Sequence, residues 1–106
     1  MDAPAATAPS DANVRDAATV ILVRDAKGPT PRILMGQRGA KAAFMPNKYV
    51  FPGGAVDPGD GQIALARRAA PDTIAKLAKH ADPTRVDALL VAAIRELWEE
   101  TGQVLG

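Results

Sequence analysis

With 106 residues and a formal net charge of +1 at pH 7, the chain is one domain at most, and its charge gives no case for nucleic-acid or membrane partners. The absence of cysteine excludes disulfides, thiolate metal sites and a cysteine nucleophile, and suits a reducing cytoplasm. Hydrophobic residues make up 47% of the chain but aromatics only 4%, so an alanine-rich core buries little area per residue.

Residues 1–13 are rich in Ala, Pro, Ser and Thr without an apolar period, and read as a disordered tail. They lack the basic-then-apolar order of a secretory signal, and Asp2 and Asp11 argue against an organelle transit peptide. Ala17 to Val23 is a β-branched run that suits a buried central strand. Asp25 to Pro31 has turn chemistry, and Arg32 to Gln37 reads as a second strand, antiparallel to the first because the connection is short. Arg38 to Asn47 is a loop. Lys48 to Phe51 makes a short strand that Pro52 ends, and Gly53-Gly54 forms a turn open to close approach by a ligand.

Asp57 to Gly61 is a further turn. Two short helices follow, Gln62 to Ala70 and Asp72 to Ala81, separated by Pro71. Arg67, Arg68, Lys76 and Lys79 make this segment basic, which reads first as a solvated face. His80, the single histidine, reads as a helix-end charge and not as a base. Asp82 as N-cap and Pro83 at the first position start a final helix that runs to Thr101 and stops at Gly102 in a left-handed cap.

That last helix carries the chemistry. At about 100° per residue, Glu96, Glu99 and Glu100 share an arc of roughly 100°. Leu90, Ile94, Leu97 and Trp98 fall opposite, as an expected core-facing stripe. Glu96 and Glu100 repel each other at i,i+4, and the nearby helix C-terminus disfavours both. Either this is a solvated acidic face, or a hard divalent cation offsets the repulsion. Arg95 lies one turn before Glu99, where a cation pins a carboxylate.

The run Arg95-Glu96-Leu97-Trp98-Glu99-Glu100-Thr101-Gly102, together with Phe51-Pro52-Gly53-Gly54 upstream, resembles the Nudix box. Its second half matches residue for residue. The box glutamate six residues after the glycine is here Asp60, and Gln103 stands where an apolar residue is usual. Residues 61–94 separate Asp60 from Arg95, against seven residues in the ordinary box, so a helical insert at about 61–82 interrupts the motif. Such an insert resembles the peroxisomal-type coenzyme A diphosphatases. The segment Leu34 to Gly39 keeps that group's spacing to Phe51-Pro52-Gly53-Gly54, although Ala43 and Asn47 replace an arginine and a glycine of its pattern.

The resemblance implies an α/β fold: a Nudix-like α/β/α sandwich of which residues 14–106 supply the N-terminal portion, a mixed sheet plus the box helix. Sheet edges then lie exposed. Further strands and a second helix follow the box in that family. The expectation is therefore a fragment of a longer protein, or else a domain completed by another copy in a homodimer. By resemblance the activity is metal-dependent hydrolysis of a diphosphate in a small nucleoside-diphosphate derivative of coenzyme A or dinucleotide type. Glu96, Glu99, Glu100 and the Gly54 carbonyl are the implied ligands of Mg²⁺ or Mn²⁺. Glu96 is ligand or local base, Arg95 orients a glutamate, and Glu96, Glu99 and Arg95 form the implied catalytic set. Arg38, Phe51 and Gly53 are the implied substrate contacts. A non-catalytic nucleotide-binding module is the rival reading, and an inactive fragment the third.

Overall fold

A computed structural model describes residues 15–41 and 46–105, so the N-terminal tail and Ala43 lie outside the described residues. Its strands are short: β1 (Ala17–Thr19), β2 (Val23–Arg24), β3 (Arg32–Ile33), β4 (Gly36–Gln37), β5 (Tyr49–Val50) and β6 (Gly53–Ala55). Two helices follow, α1 (Pro71–Ala78) and α2 (Val86–Thr101), with 3-10 turns at Pro58–Gln62 and Pro83–Arg85. The ladders are β1–β6, β2–β3 and β4–β5, all antiparallel. The parallel pairing of a mixed sheet does not occur among the described residues.

The Ala17–Val23 run is not one buried strand. It divides into β1 and β2, with Ile21 59% exposed between them. Its two halves answer to different partners: Val20 N–H donates to the Pro52 carbonyl, whereas the Leu22 carbonyl accepts from Leu34 N–H. Among the described residues no helix or further strand packs closely on β2 and β3, and Val23 and Ile33 stay exposed. Gly53-Gly54 also differs from expectation, being strand and not turn. Pro52 ends β5, but β6 begins at the next residue and pairs Gly54 with Ala18. A Cβ on Gly53 would collide with the Ala18 carbonyl oxygen, so glycine is what lets these two backbones close.

The final helix starts three residues later than expected: Asp82 and Pro83 open the 3-10 turn Pro83–Arg85, where the Asp82 carboxylate accepts from Thr84 N–H at 2.9 Å, and α2 begins at Val86. Its end is as expected, at Gly102 (φ 76°), whose N–H donates to the Trp98 carbonyl at 2.8 Å. The packed face is different. Val86, Ala88, Ala92 and Leu97 are buried, while Ile94 is 40% and Trp98 57% exposed. With Glu96 at zero on the wheel, Ala92 and Ala88 lie near −40° and −80° and Leu97 near +100°. The side set against β1, β6 and the Pro58–Gln62 turn is thus centred near Glu96 and not opposite it. Small alanines allow close approach there, and polar partners on β6 and Asp60 take up the charged side chains. Of the expected stripe only Leu97 is core.

The segment after Gln62 forms one helix and not two. Residues 63–70 are irregular, and Pro71 opens α1, a position where its missing N–H costs nothing. The Arg68 Nε donates to both Asp87 carboxylate oxygens, at 3.1 and 3.0 Å, which ties the irregular stretch to the first turn of α2. His80 lies just past α1, its N–H on the Leu77 carbonyl. No helix among the described residues is long and apolar enough to cross a membrane.

Candidate active site

Ladder alternation sets which backbone groups of β6 are free. Val20 donates to Pro52 and Val56 to Asp16, at 2.8 and 2.9 Å, so the intervening pair Ala18–Gly54 is the hydrogen-bonded kind. The polar groups of Gly53 and Ala55 consequently point away from β1. Both are met by α2: Gly53 N–H donates to Glu100 Oε1 at 3.1 Å, and the Ala55 carbonyl accepts from Arg95 Nη2 at 3.0 Å. The Gly54 carbonyl, expected to face a cation, is turned toward β1. What Gly54 supplies instead is thinness, since a Cβ there would lie 2.5 Å from the Glu96 Cδ and Oε2.

Arg95 is the hub. Its Nε and Nη2 donate to the two oxygens of Asp60 at 2.9 and 3.1 Å. Nη1 donates to Glu99 Oε1 at 2.9 Å and to Glu96 Oε2 at 3.3 Å, and lies 3.5 Å from Asp57. Asp60 is only 3% exposed and also accepts from Asp57 N–H at 2.8 Å. The Arg95 hydrogen bonds hold the Asp60 carboxyl below its usual range; burial opposes this, and the Asp57 N–H adds to it. Arg95 in turn is held firmly protonated by Asp60. This is a bidentate pair of a buried carboxylate and a partly buried guanidinium, with both carboxylate oxygens engaged.

Glu96 has the opposite balance. Desolvation raises its pKa first, Glu100 and Glu99 push the same way, and Arg95 pulls back without prevailing. One guanidinium thus faces four carboxylates, with Glu100 close by, a local deficit of positive charge. A carboxyl whose folded pKa is raised costs stability once pH exceeds that value, and the cost disappears as pH falls toward the unfolded value. Glu96→Gln is therefore expected to raise the melting temperature at pH 7 and to leave it unchanged near pH 4. A thermal melt at the two pH values measures this.

The carboxylates fit a hard cation in donor chemistry, being oxygen ligands in charge excess. As the side chains stand, no three acidic or histidine side chains among the described residues surround one point. Glu99 is turned to Arg95 and Glu100 to Gly53 N–H. Beside Glu100 a cleft of about 410 Å³ opens, lined by Arg38, Phe51, Gly53 and Gly54 among others. The three implied substrate contacts and two implied ligands, Gly54 and Glu100, therefore share one hollow. Asn47, where the coenzyme A pattern has glycine, adopts φ 62°, a left-handed conformation that asparagine tolerates.

The sequence placed Asp60 in a turn, where it is found, but did not show its buried lock on Arg95. It also gave no part to Asp57 or to the Ala55 carbonyl. The signal available was position: Asp60 stands where the box has its glutamate, in a motif that also fixes an arginine.

No family model matches the chain. A curated relative, "Putative nudix hydrolase 7" of Caenorhabditis elegans, is 39% identical over 88 residues, covering 83% of this chain and 21% of its own length. A solved structure, the NUDIX hydrolase from Alicyclobacillus acidocaldarius, superposes with a TM-score of 0.61 at 32% identity, over 87% of this chain and 38% of that one. Both support the Nudix hydrolase family, and the strands with their packed helix fit an α/β Nudix-like fold. The chain spans about a fifth of the curated relative's length.

Proposed function

We propose that the chain carries the metal-binding half of a Nudix-type diphosphatase, acting on a nucleoside diphosphate linked to a second moiety. Coenzyme A or dinucleotide derivatives are the proposed substrates and the cytoplasm the proposed compartment; a homodimer is the proposed assembly if the chain acts alone. The observation that carries the reading is Glu96 and Glu100 pressed against the Gly53-Gly54 backbone, in a cluster short of positive charge.

Glu96, Glu99 and Glu100 would hold Mg²⁺ or Mn²⁺, with the Gly53-Gly54 backbone alongside. When bound, the ion supplies charge neutralisation for the diphosphate and a water of lowered pKa. Arg95, fixed by Asp60, sets the position of Glu99 and shares the charge of Glu96. Arg38 and Phe51 line the cleft next to Glu100, where an anionic group and an apolar or ring surface would be received. Because the glutamates are coupled, their protonation belongs to the cluster.

The test is Mn²⁺-dependent cleavage of a coenzyme A or dinucleotide diphosphate, followed by phosphate release after phosphatase coupling. Glu100→Gln is expected to lose about a hundredfold or more in rate while keeping its fold. Equal rates for the two proteins would contradict the assignment.

A further inference from the structure

We propose that the β2–β3 ladder carries a binding site for a phosphomonoester attached to an apolar body, separate from the carboxylate cluster. Arg24 stands directly opposite Arg32 in this ladder, so both side chains leave the same face of the hairpin. Like charges in that position oppose the pairing. Arg68, Arg85 and Arg95 all have carboxylate partners, but among the described residues no carboxylate lies within ion-pair range of Arg24 or Arg32.

Leu22 and Leu34 lie two residues along each strand on that same face, and Leu34 N–H donates to the Leu22 carbonyl, which continues the pairing. Both leucines are half-buried, and with the arginines and Gln103 they enclose a groove of about 250 Å³. The groove thus has two guanidinium forks at its rim, an apolar floor and an amide at its side. Two forks match the several oxygens and double charge of a phosphate better than a carboxylate, which would satisfy one arginine and leave the other. The leucine floor favours a ring or alkyl body behind the phosphate.

The experiment is calorimetric titration of the full chain at low salt without divalent metal, using phenyl phosphate and inorganic phosphate as probes. Phenyl phosphate is expected to bind at one site and more tightly than inorganic phosphate. The Arg24→Gln/Arg32→Gln variant should bind it about tenfold or more weakly. Lys27→Gln, on the same hairpin, should bind as wild type, which separates the groove from general basicity. Circular dichroism of the double variant should show an intact fold with an unchanged or higher melting temperature, since the like-charge opposition is gone. Glu100→Gln should bind phenyl phosphate as wild type, so failure of the hydrolase reading and failure of this site are distinguishable. Undiminished binding by the double variant, equal weakening by Lys27→Gln, or no preference for phenyl phosphate would each overturn the site.

Discussion

Asp60→Ala is expected to destabilise the chain by about 2–4 kcal/mol, because it removes two charge-assisted hydrogen bonds to Arg95 and leaves the Asp57 N–H without its acceptor, while Glu96, Glu99 and Asp57 still neutralise the guanidinium. Against a total of about 5–15 kcal/mol for a domain, that is a large fraction, and the melting temperature should fall by roughly 10 °C or more. Asp60→Asn keeps the volume and can still accept from Asp57 N–H, so its loss should be smaller. The pH dependence has a definite sign. A carboxyl whose folded pKa is depressed contributes stability that is present above the unfolded value and is lost as pH falls through the folded one. The gap between wild type and Asp60→Asn should therefore be full at neutral pH and close in acid below about pH 4. A gap of constant size down to pH 2 would show that the charge on Asp60 contributes nothing.

The two glycines of β6 should separate folding from function. Gly53→Ala places a methyl against the Ala18 carbonyl and 2.9 Å from the Thr19 Cα, both of them ladder backbone that cannot move without unpairing β1 from β6. A cost of about 1–3 kcal/mol, or β1 detachment, is expected. The nearest atoms to the new methyl of Gly54→Ala all belong to the Glu96 carboxylate, the far end of a flexible side chain, which can swing away. That variant should melt close to wild type yet lose about a hundredfold in diphosphate cleavage, because a carboxylate proposed to hold the metal has shifted by an ångström or more. Melting curves and metal-dependent rates on the same two proteins check both halves. If Gly54→Ala retained full activity, the placement of Glu96 against Gly54 would have no part in the chemistry.

The elements nearest the chemistry were legible because their signals are local. Asp82 and Pro83 open the 3-10 turn that leads into the final helix, Gly102 caps its end, and Arg95 and Glu99 meet because i and i+4 lie on one helix face. The packed face of α2 was not legible. An apolar stripe at Ile94 and Trp98 looks like a core face, but which side packs is decided by what stands across from it: the thin Gly53-Gly54-Ala55 strand and the Asp60 carboxylate. Those are long-range partners that periodicity cannot see. The same holds for β6. Two adjacent glycines have the local chemistry of a turn, and only the approach of the Ala18 backbone shows why they form a strand. In the segment after Gln62, residues 63–70 are irregular despite their helical propensity, a weak preference in so short a stretch, and the exposed Arg68–Asp87 pair joins them to α2.

Mn²⁺ binding, followed by electron paramagnetic resonance titration of the free ion, tests the account's centre without requiring turnover. Wild-type chain is expected to withdraw the free-ion signal in a saturable way, and Glu96→Gln/Glu100→Gln, folded by circular dichroism, to leave it nearly untouched. Equal withdrawal by the two proteins, or none by wild type, would mean that the carboxylates gathered against Gly53 and Gly54 are not a cation site.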